Sequence, residues 1–561
     1  MSHERRTPAP AGTGGEGNDR NATQPIISND RLQQETIEPT NPHYLQPQLI
    51  PAHVFPLPNS HIDYETAGAH LFTILAQTNE VFQRNGFVHE VRYVGDSQQL
   101  SPVSPTRFLS LLDGFSSRRV AKYEVSEKGA VKWRSCRFTK SAAEVLLTSD
   151  PAMQYLPAIT TILKAPIVAK AGHDSPGCHE RLGAGYHPHV GKGTFIAECE
   201  PAPLVPVEVA VPALLGLLAD FDFAAPGDAS RAVASLISPA MKSGGWIDDD
   251  FPLDLAEADQ SQAGKTYRQE CVAAIYNEQR ASITATRGGV GSLDEAVASA
   301  LIAGSPFIAL DNLRGRIDSP LLETAIRGSG SVRCRALRTS CVVDTRPFLW
   351  QLSTNGAELT RDLANRSIIT RIRKREQGYV FRKFPEGDLL RHIKANQPFL
   401  LGCVHAVIIE WWKNDAPRTD ESRHDFRTWC GAMDWIVQNV FSFPPLLDGH
   451  REEQLRTANP KLQWLRDIIN AMNLKPGGEA VVGAAELSDI AEENEINLPG
   501  PPTSSKPREM RIGSIMGRIF KEVDSDVVHL DGNTITRVIE HEHDPIRKEH
   551  RERKKYVISR G

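Results

Sequence analysis

The sequence contains no C-x-x-C pair. Its eight cysteines stand apart, at positions 136, 178, 199, 271, 334, 341, 403 and 430. That spacing excludes a zinc ribbon and a disulfide scaffold and fits a reducing, cytoplasmic setting. Apolar runs of about 18 residues are also missing, so no transmembrane helix and no membrane partner are expected. The start, "MSHERRTPAPAGTGGEGNDRNATQ", lacks the apolar core of a signal peptide. There is no basic surplus: 64 Lys and Arg against 69 Asp and Glu leave a net charge of −5. Contacts with nucleic acid must therefore come from local patches.

What is present is an ordinary soluble composition, 40% hydrophobic and 24% charged, over 561 residues. That length suits three or four units. Residues 1–60 read as a disordered tail, with Pro at 39, 42, 47, 51, 56 and 58. Order is expected from "DYETAGAHLFTILAQTNEVFQRNG", where Leu71, Ile74, Leu75 and Val81 keep helical spacing. "GFVHEVRYV" then alternates as a strand does. Residues 61–205 thus form an N-terminal α/β domain. Within it, "AGHDSPGCHERLGAGYHPHVGKGTFIA" carries His173, Cys178, His179, His187 and His189 at spacings of no standard zinc site, and reads as a Gly-rich hairpin.

The Pro-rich break "PAPLVPVEVAVP" opens the next unit, 206–385. Two apolar helices lead to "EADQSQAGKTYRQE", Glu257 to Glu270. This stretch ends as a phosphate-binding loop does, in Gly264-Lys265-Thr266, but Asp259 stands where the G-x-x-x-x-G-K-[ST] pattern has its first Gly. Asp tolerates left-handed backbone angles better than most residues. "FPLDLAEA" before the loop can form a buried strand, and Cys271, Val272, Ile275 and Tyr276 after it share one side of a helix. In such a loop, backbone N–H groups of Gln262, Ala263, Gly264, Lys265, Thr266 and Tyr267 would cradle phosphate at a helix N-terminus. Lys265 would reach the β- and γ-phosphates of ATP, and Thr266 would ligate Mg²⁺.

Three further elements follow in order. "FIALDN" is four apolar residues and then Asp311, a strand end able to hold Mg²⁺. "PFLWQLSTNG" is a strand ending in Asn355, placed to contact the γ-phosphate or orient water. "ELTRDLANRSIITRI" gives a short helix, Arg361 to Asn365, then Arg366 and another strand. Arg366 could stabilise transition-state charge at a neighbouring subunit's nucleotide. The bland alternative is an arginine paired with Asp362, four residues earlier on a helix.

Lys265, Asp311, Asn355 and Arg366 in this order resemble the AAA+ ATPases. The spacing from "STN" to the arginine is similar to the superfamily 3 helicase branch of viral and plasmid replication proteins. "LDN", "STNGAELTRDLANR" and "GYHPHVGKG" also look like phage and mobile-element replication ATPases of primase-helicase-like type. The resemblance covers roughly 240–380 in its core. It implies an α/β fold: an AAA+ P-loop core with a helical lid, the N-terminal α/β domain and a C-terminal winged-helix-like unit. It further implies a homo-oligomeric ring with ATP between subunits. Two departures stand out. The first loop glycine is missing, and Asn312 occupies the place of the Glu that polarises the attacking water in most of the family. An Asn can position water but cannot accept its proton, so Glu295 and Glu323 are alternatives for that task.

DNA, single-stranded or forked, is the expected partner. "GSGSVRCRALRTSCVVDTRPF" places Arg333, Arg335 and Arg338 in a hairpin similar to the pore hairpin of superfamily 3 helicases; an ordinary sheet edge carrying Arg is the alternative. The strongly amphipathic helices of 386–490 form the lid, with Trp411, Trp412, Trp429 and Trp435 read as core. Residues 491–507 are a linker. The basic domain 508–561 has a helix with Ile512, Ile515, Met516 and Ile519 on one face, then a hairpin turning at Asp531-Gly532. A cluster follows of Arg547, Lys548, Arg551, Arg553, Lys554 and Lys555, suited to phosphates rather than bases.

Two rival readings remain open on the residues alone. One is a nucleotide-dependent assembly switch with little hydrolysis, which Asn312 favours. The other is a DNA-binding protein with a silent P-loop, which Asp259 favours.

Overall fold

The computed structural model describes residues 50–560, except 116–117, 129, 172–178, 248–249, 259–261, 284–291, 312, 314–315, 328–329, 337–338, 356, 500–506, 524, 531 and 545–548. The expectations for Asp259, Asn312, Arg338, Arg547 and Lys548, and for the tail up to residue 49, lie outside the described residues, as do His173 and Cys178. For Arg551 only the strand placement is described. The architecture is mixed α/β. No helix among the described residues is long and apolar enough to cross a membrane.

Order begins earlier than the Pro-rich composition suggests. Val54–Pro56 is a strand pairing in parallel with Arg119–Ala121, and Val54 and Phe55 are fully buried. Three apolar side chains between prolines suffice once a partner strand takes their backbone groups. Phe55 joins Leu71, Phe72, Phe108 and Leu146 in the core of the N-terminal domain. The helix Tyr64–Ala76 starts at Asp63, whose carboxylate accepts the Thr66 N–H at 2.7 Å. It ends before Val81, contrary to the helical spacing that included this residue. Asn79 takes a left-handed φ of 53°, and Val81 pairs with Glu90 as a strand.

The central sheet has six strands, in the order Asp222–Phe223, Ser367–Arg373, Leu253–Glu257, Leu349–Thr354, Phe307–Asp311 and Ala281–Ile283. All neighbours run parallel except the first pair. The inner strands are near-continuous apolar runs because helices cover both faces. Leu253, Leu255, Ile308, Leu310 and Leu352 are fully buried, each contributing about 1.5–3 kcal/mol of burial. The hairpin Val332–Ala336 and Thr339–Val343 stands apart from this sheet.

The helix Pro226–Ser243 is bolted to the sheet by a buried charge. Arg231, 1% exposed, donates to Ile369 O at 2.6 Å, to Asp448 O at 2.8 Å and to Leu446 O at 3.1 Å. It also pairs with Asp228 at 2.7 Å. Asp228 in turn accepts the Arg371 N–H at 2.8 Å. The N-terminal domain is tied on by Arg84, which donates to Ile302 O at 2.9 Å and Leu301 O at 3.3 Å, at the C-terminus of the helix Leu293–Ala303. A cation there meets the negative end of the helix dipole.

Trp411 and Trp429 are buried, and Trp412 and Trp435 pack against the same core. The expected borders at 490 and 508 do not hold. Trp464, Leu465 and Ile468 of the helix Pro460–Met472, and Leu487 of Ala484–Glu493, share one core with Ile512, Met516, Phe520, Tyr556 and Ile558. The C-terminal unit therefore runs helix, strand (Glu479–Val482), helix, helix, then the strands Val527–Leu530, Asn533–Asp544 and Glu549–Arg560. The apolar stripe of Pro460–Met472 looks the same whichever core it enters, so periodicity could not assign it.

Several histidines fold in the neutral state. Burial pushes His405 down to about 3 and His89 down to about 4. Burial, with Arg231 nearby, lowers His450 strongly, and His450 Nε2 accepts the Ile369 N–H at 3.1 Å. The unfolded chain takes up these protons near pH 6.5, whereas the folded chain refuses them until far lower. Stability is thus present above pH 6.5 and is lost as pH falls from 6.5 toward 4, by up to about 1.4 kcal/mol per pH unit for each such group. A falling midpoint of urea unfolding over that range, flattened in His405→Phe, is the expected result.

Candidate functional site

The site lies at the carboxyl ends of three adjacent parallel strands, the crevice where open α/β sheets gather their ligands. The strand Leu253–Glu257 ends in a carboxylate that is 2% exposed, gripped by Arg456 at 2.7 and 2.5 Å. Burial works against the charge on Arg456, but Glu257 and Glu453 raise its pKa overall. The strand end is thereby clamped to the helix His450–Ala458.

After the loop, Gln262 and Gly264 take left-handed φ values of 64° and 90°. Gly264 caps the helix Lys265–Ile275 with no side-chain bond, so the first N–H groups of that helix keep no side-chain acceptor there. A Cβ at Gly264 would lie 3.1 Å from the Phe221 ring. Glycine is needed here for both its angle and its bareness.

Lys265 is 8% exposed, and its Nζ donates to Asn355 Oδ1 at 2.6 Å. The Thr266 hydroxyl donates to Ser353 Oγ at 3.1 Å, and Ser353 donates to Asp311 Oδ1 at 3.1 Å. Asp311 Oδ2 accepts from Ser282 at 2.7 Å and from Arg280 Nη2 at 2.9 Å. Lys265, Thr266, Asp311 and Asn355 therefore converge, as their order along the chain suggested. The strand Leu349–Thr354 makes this possible, because it pairs with Leu253–Glu257 on one side and Phe307–Asp311 on the other. Tyr267 turns away, accepting the Leu390 N–H at 2.9 Å.

Arg366 is not brought to this cluster. It follows the short helix Arg361–Asn365 and precedes Ser367, which pairs with Leu253 at the opposite end of the sheet. Five residues of strand separate the two ends, roughly 16 Å. There Arg366 pairs with Asp362 at 2.8 Å and donates to Glu323 O at 2.7 Å. Glu323 accepts the Thr360 hydroxyl on that same side, and Glu295 sits in the first turn of Leu293–Ala303.

Arg333 and Arg335 are exposed and alternate with buried Val332 and Cys334. In the last strand, Arg553 and Lys554 are exposed, whereas Lys555 is half-buried and bonds Glu486 at 3.4 Å. Among the described residues, no group of three or more His, Cys, Asp and Glu could hold a metal ion; His189 instead faces Glu180 at 3.4 Å.

Sequence reasoning missed Ser353, Arg280, Ser282 and Arg456. Ser353 was legible as the penultimate polar residue of its strand. Arg280 and Ser282 keep a two-residue spacing, which puts them on one face of an edge strand, but nothing local says that Asp311 lies beside it.

No protein-family model matches the chain, and no curated protein matches it. A solved structure described as "SCCmec type IV Cch - active helicase" is similar at 11% identity. It covers 74% of this chain and 85% of that one, with a TM-score of 0.30.

Proposed function

We propose that the chain is an ATPase acting on DNA, built on an AAA+ P-loop core and working as a homo-oligomeric ring of the superfamily 3 helicase type in the replication of a phage or mobile element. One observation carries the reading. A phosphate-loop lysine and threonine are joined, through Asn355 and Ser353, to an acidic strand end two strands away. A strand inserted between the loop strand and the acidic strand is what sets a polar sensor against both.

The residues fit MgATP. The bare helix N-terminus at Gly264 suits phosphate oxygens, and the Thr266, Ser353 and Asp311 oxygens line one side as hard ligands do for Mg²⁺. Bound Mg²⁺ neutralises charge on the β- and γ-phosphates. Arg366, remote from its own chain's site, is placed for a neighbouring copy, so the ring and the arginine support each other. The order of helices and strands in 460–560 supports a winged-helix-like unit, and Arg333, Arg335, Arg553 and Lys554 supply exposed cations for phosphates.

A second reading, a nucleotide-dependent assembly switch with little turnover, is favoured by Asp311 itself. Arg280, Ser282 and Ser353 occupy both its oxygens, so metal entry must displace Arg280. Steady-state ATP hydrolysis with no DNA, with single-stranded DNA and with duplex DNA separates the two. Turnover rising severalfold with DNA supports the motor. ATP-dependent assembly without turnover supports the switch. Failure to bind ATP at all removes both.

A further inference from the structure

A cavity of about 710 Å³ opens at the end of the central sheet opposite the phosphate loop. Its floor is Phe251, Phe307 and Leu349, at the starts of the three inner strands. Its roof comes from the N-terminal domain, from Ile167 and the turn at Val190–Lys192. That turn is held by Gly193, whose φ is 105° and where a Cβ would lie 2.1 Å from Ala158 O. The motif "GYHPHVGKG" therefore builds a wall of a chamber between two domains.

Two polar groups in the lining are more than nine-tenths buried and lack a partner among the described residues: Thr161 Oγ1 and His405 Nε2. Leaving such a group unpaired costs about 1–3 kcal/mol, so both await a hydrogen-bonding occupant. The charges are uneven. Asp344 is engaged by Arg346 at 2.8 Å, and Asp250 stands beside Lys242. Burial pushes Glu278 up to about 8, so it is uncharged near neutral pH. Lys170 and Lys192, both exposed, remain as a positive rim. An apolar floor with aromatic walls, two buried heteroatom partners and a cationic rim, in a volume typical of small-ligand sites, describe one ligand chemistry.

We propose that this cavity binds a phosphorylated nucleoside, its base on the Phe251 floor against Thr161 and His405 and its phosphate at Lys170 and Lys192. The source is a free mononucleotide or the 5′-phosphorylated end of a single DNA strand. The proposal does not rest on the phosphate loop, and its test excludes that loop.

The test is calorimetric titration of full-length Lys265→Ala protein with AMP, dAMP, 5′-phosphorylated oligo(dT) and unphosphorylated oligo(dT). Saturable binding of AMP or dAMP identifies a free mononucleotide. Binding of the phosphorylated oligonucleotide alone, at least tenfold tighter than the unphosphorylated one, identifies a strand end. In either case Thr161→Val and Lys192→Gln should each weaken binding about tenfold, and Thr161→Val should leave the melting temperature of the free protein unchanged or raised. No binding of any phosphorylated probe, or binding indifferent to both substitutions, overturns the proposal. So does equal affinity for both oligonucleotides without mononucleotide binding.

Discussion

Lys265→Ala is expected to lower ATP affinity by one to two orders of magnitude and to abolish measurable turnover. A charge-assisted hydrogen bond contributes about 1.5–3 kcal/mol, and Lys265 is placed to make more than one to phosphate. Its Nζ bond to Asn355 is also lost, so the residue proposed to sense the γ-phosphate loses its anchor in the same substitution. The fold should survive, because Lys265 is the first residue of its helix and holds no core contact that Ala cannot keep. Equilibrium binding of a fluorescent ATP analogue, read beside the melting temperature, checks both halves. Affinity retained within threefold would move the nucleotide away from Gly264 and Lys265, and the proposed function would fall with it.

Arg231→Met is expected to cost about 3–5 kcal/mol of stability, the range found when one partner of a buried ion pair is removed. Three carbonyls, of Ile369, Leu446 and Asp448, lose their donor, and Asp228 is left charged at 1% exposure. The midpoint of urea unfolding measures the loss. Asp228→Asn in the same chain should restore part of it by removing the uncompensated charge, while Asn still accepts the backbone N–H groups of Ala225 and Arg371. A double variant no more stable than the single one would show that the carbonyl contacts, not the charge, hold the helix Pro226–Ser243 to the sheet. A loss under about 1 kcal/mol would mean that water enters to replace the guanidinium.

Much of the element order was legible because its signals are local. "FPLDLAEA", "FIALD" and "FLWQLST" read as apolar runs ending in polar residues, and all three are strands. Thr360 and the helix Arg361–Asn365 followed from a capping hydroxyl, which accepts the Leu363 N–H at 3.1 Å. Where two outcomes share one local pattern, sequence reasoning went astray. Val81 keeps helical spacing but belongs to a strand, because an asparagine with positive φ turned the chain and Glu90 offered a pairing partner. Val54 and Phe55 sit among prolines and still order, because Arg119–Ala121 takes up their backbone.

The sequence by itself determined which residue types stand at strand ends and helix starts: Gly264, Lys265 and Thr266, Asp311, Asn355, and the arginine after a capped short helix. These follow from periodicity, capping and backbone permissiveness, whose range is a few residues. Only the tertiary structure decided which of these ends meet. The strand Leu349–Thr354 slots between two strands that precede it in the chain, and so Ser353 links Thr266 to Asp311. Arg280 and Ser282 reach Asp311 from an edge strand, Arg456 crosses from a distant helix to Glu257, and Arg366 is sent to the far end of the sheet. The cavity beneath the N-terminal domain has the same origin, since its floor and roof come from segments that no local pattern relates. Strand order is settled by burial of both sheet faces and by long-range hydrogen bonding, and neither is written in the spacing of neighbouring residues.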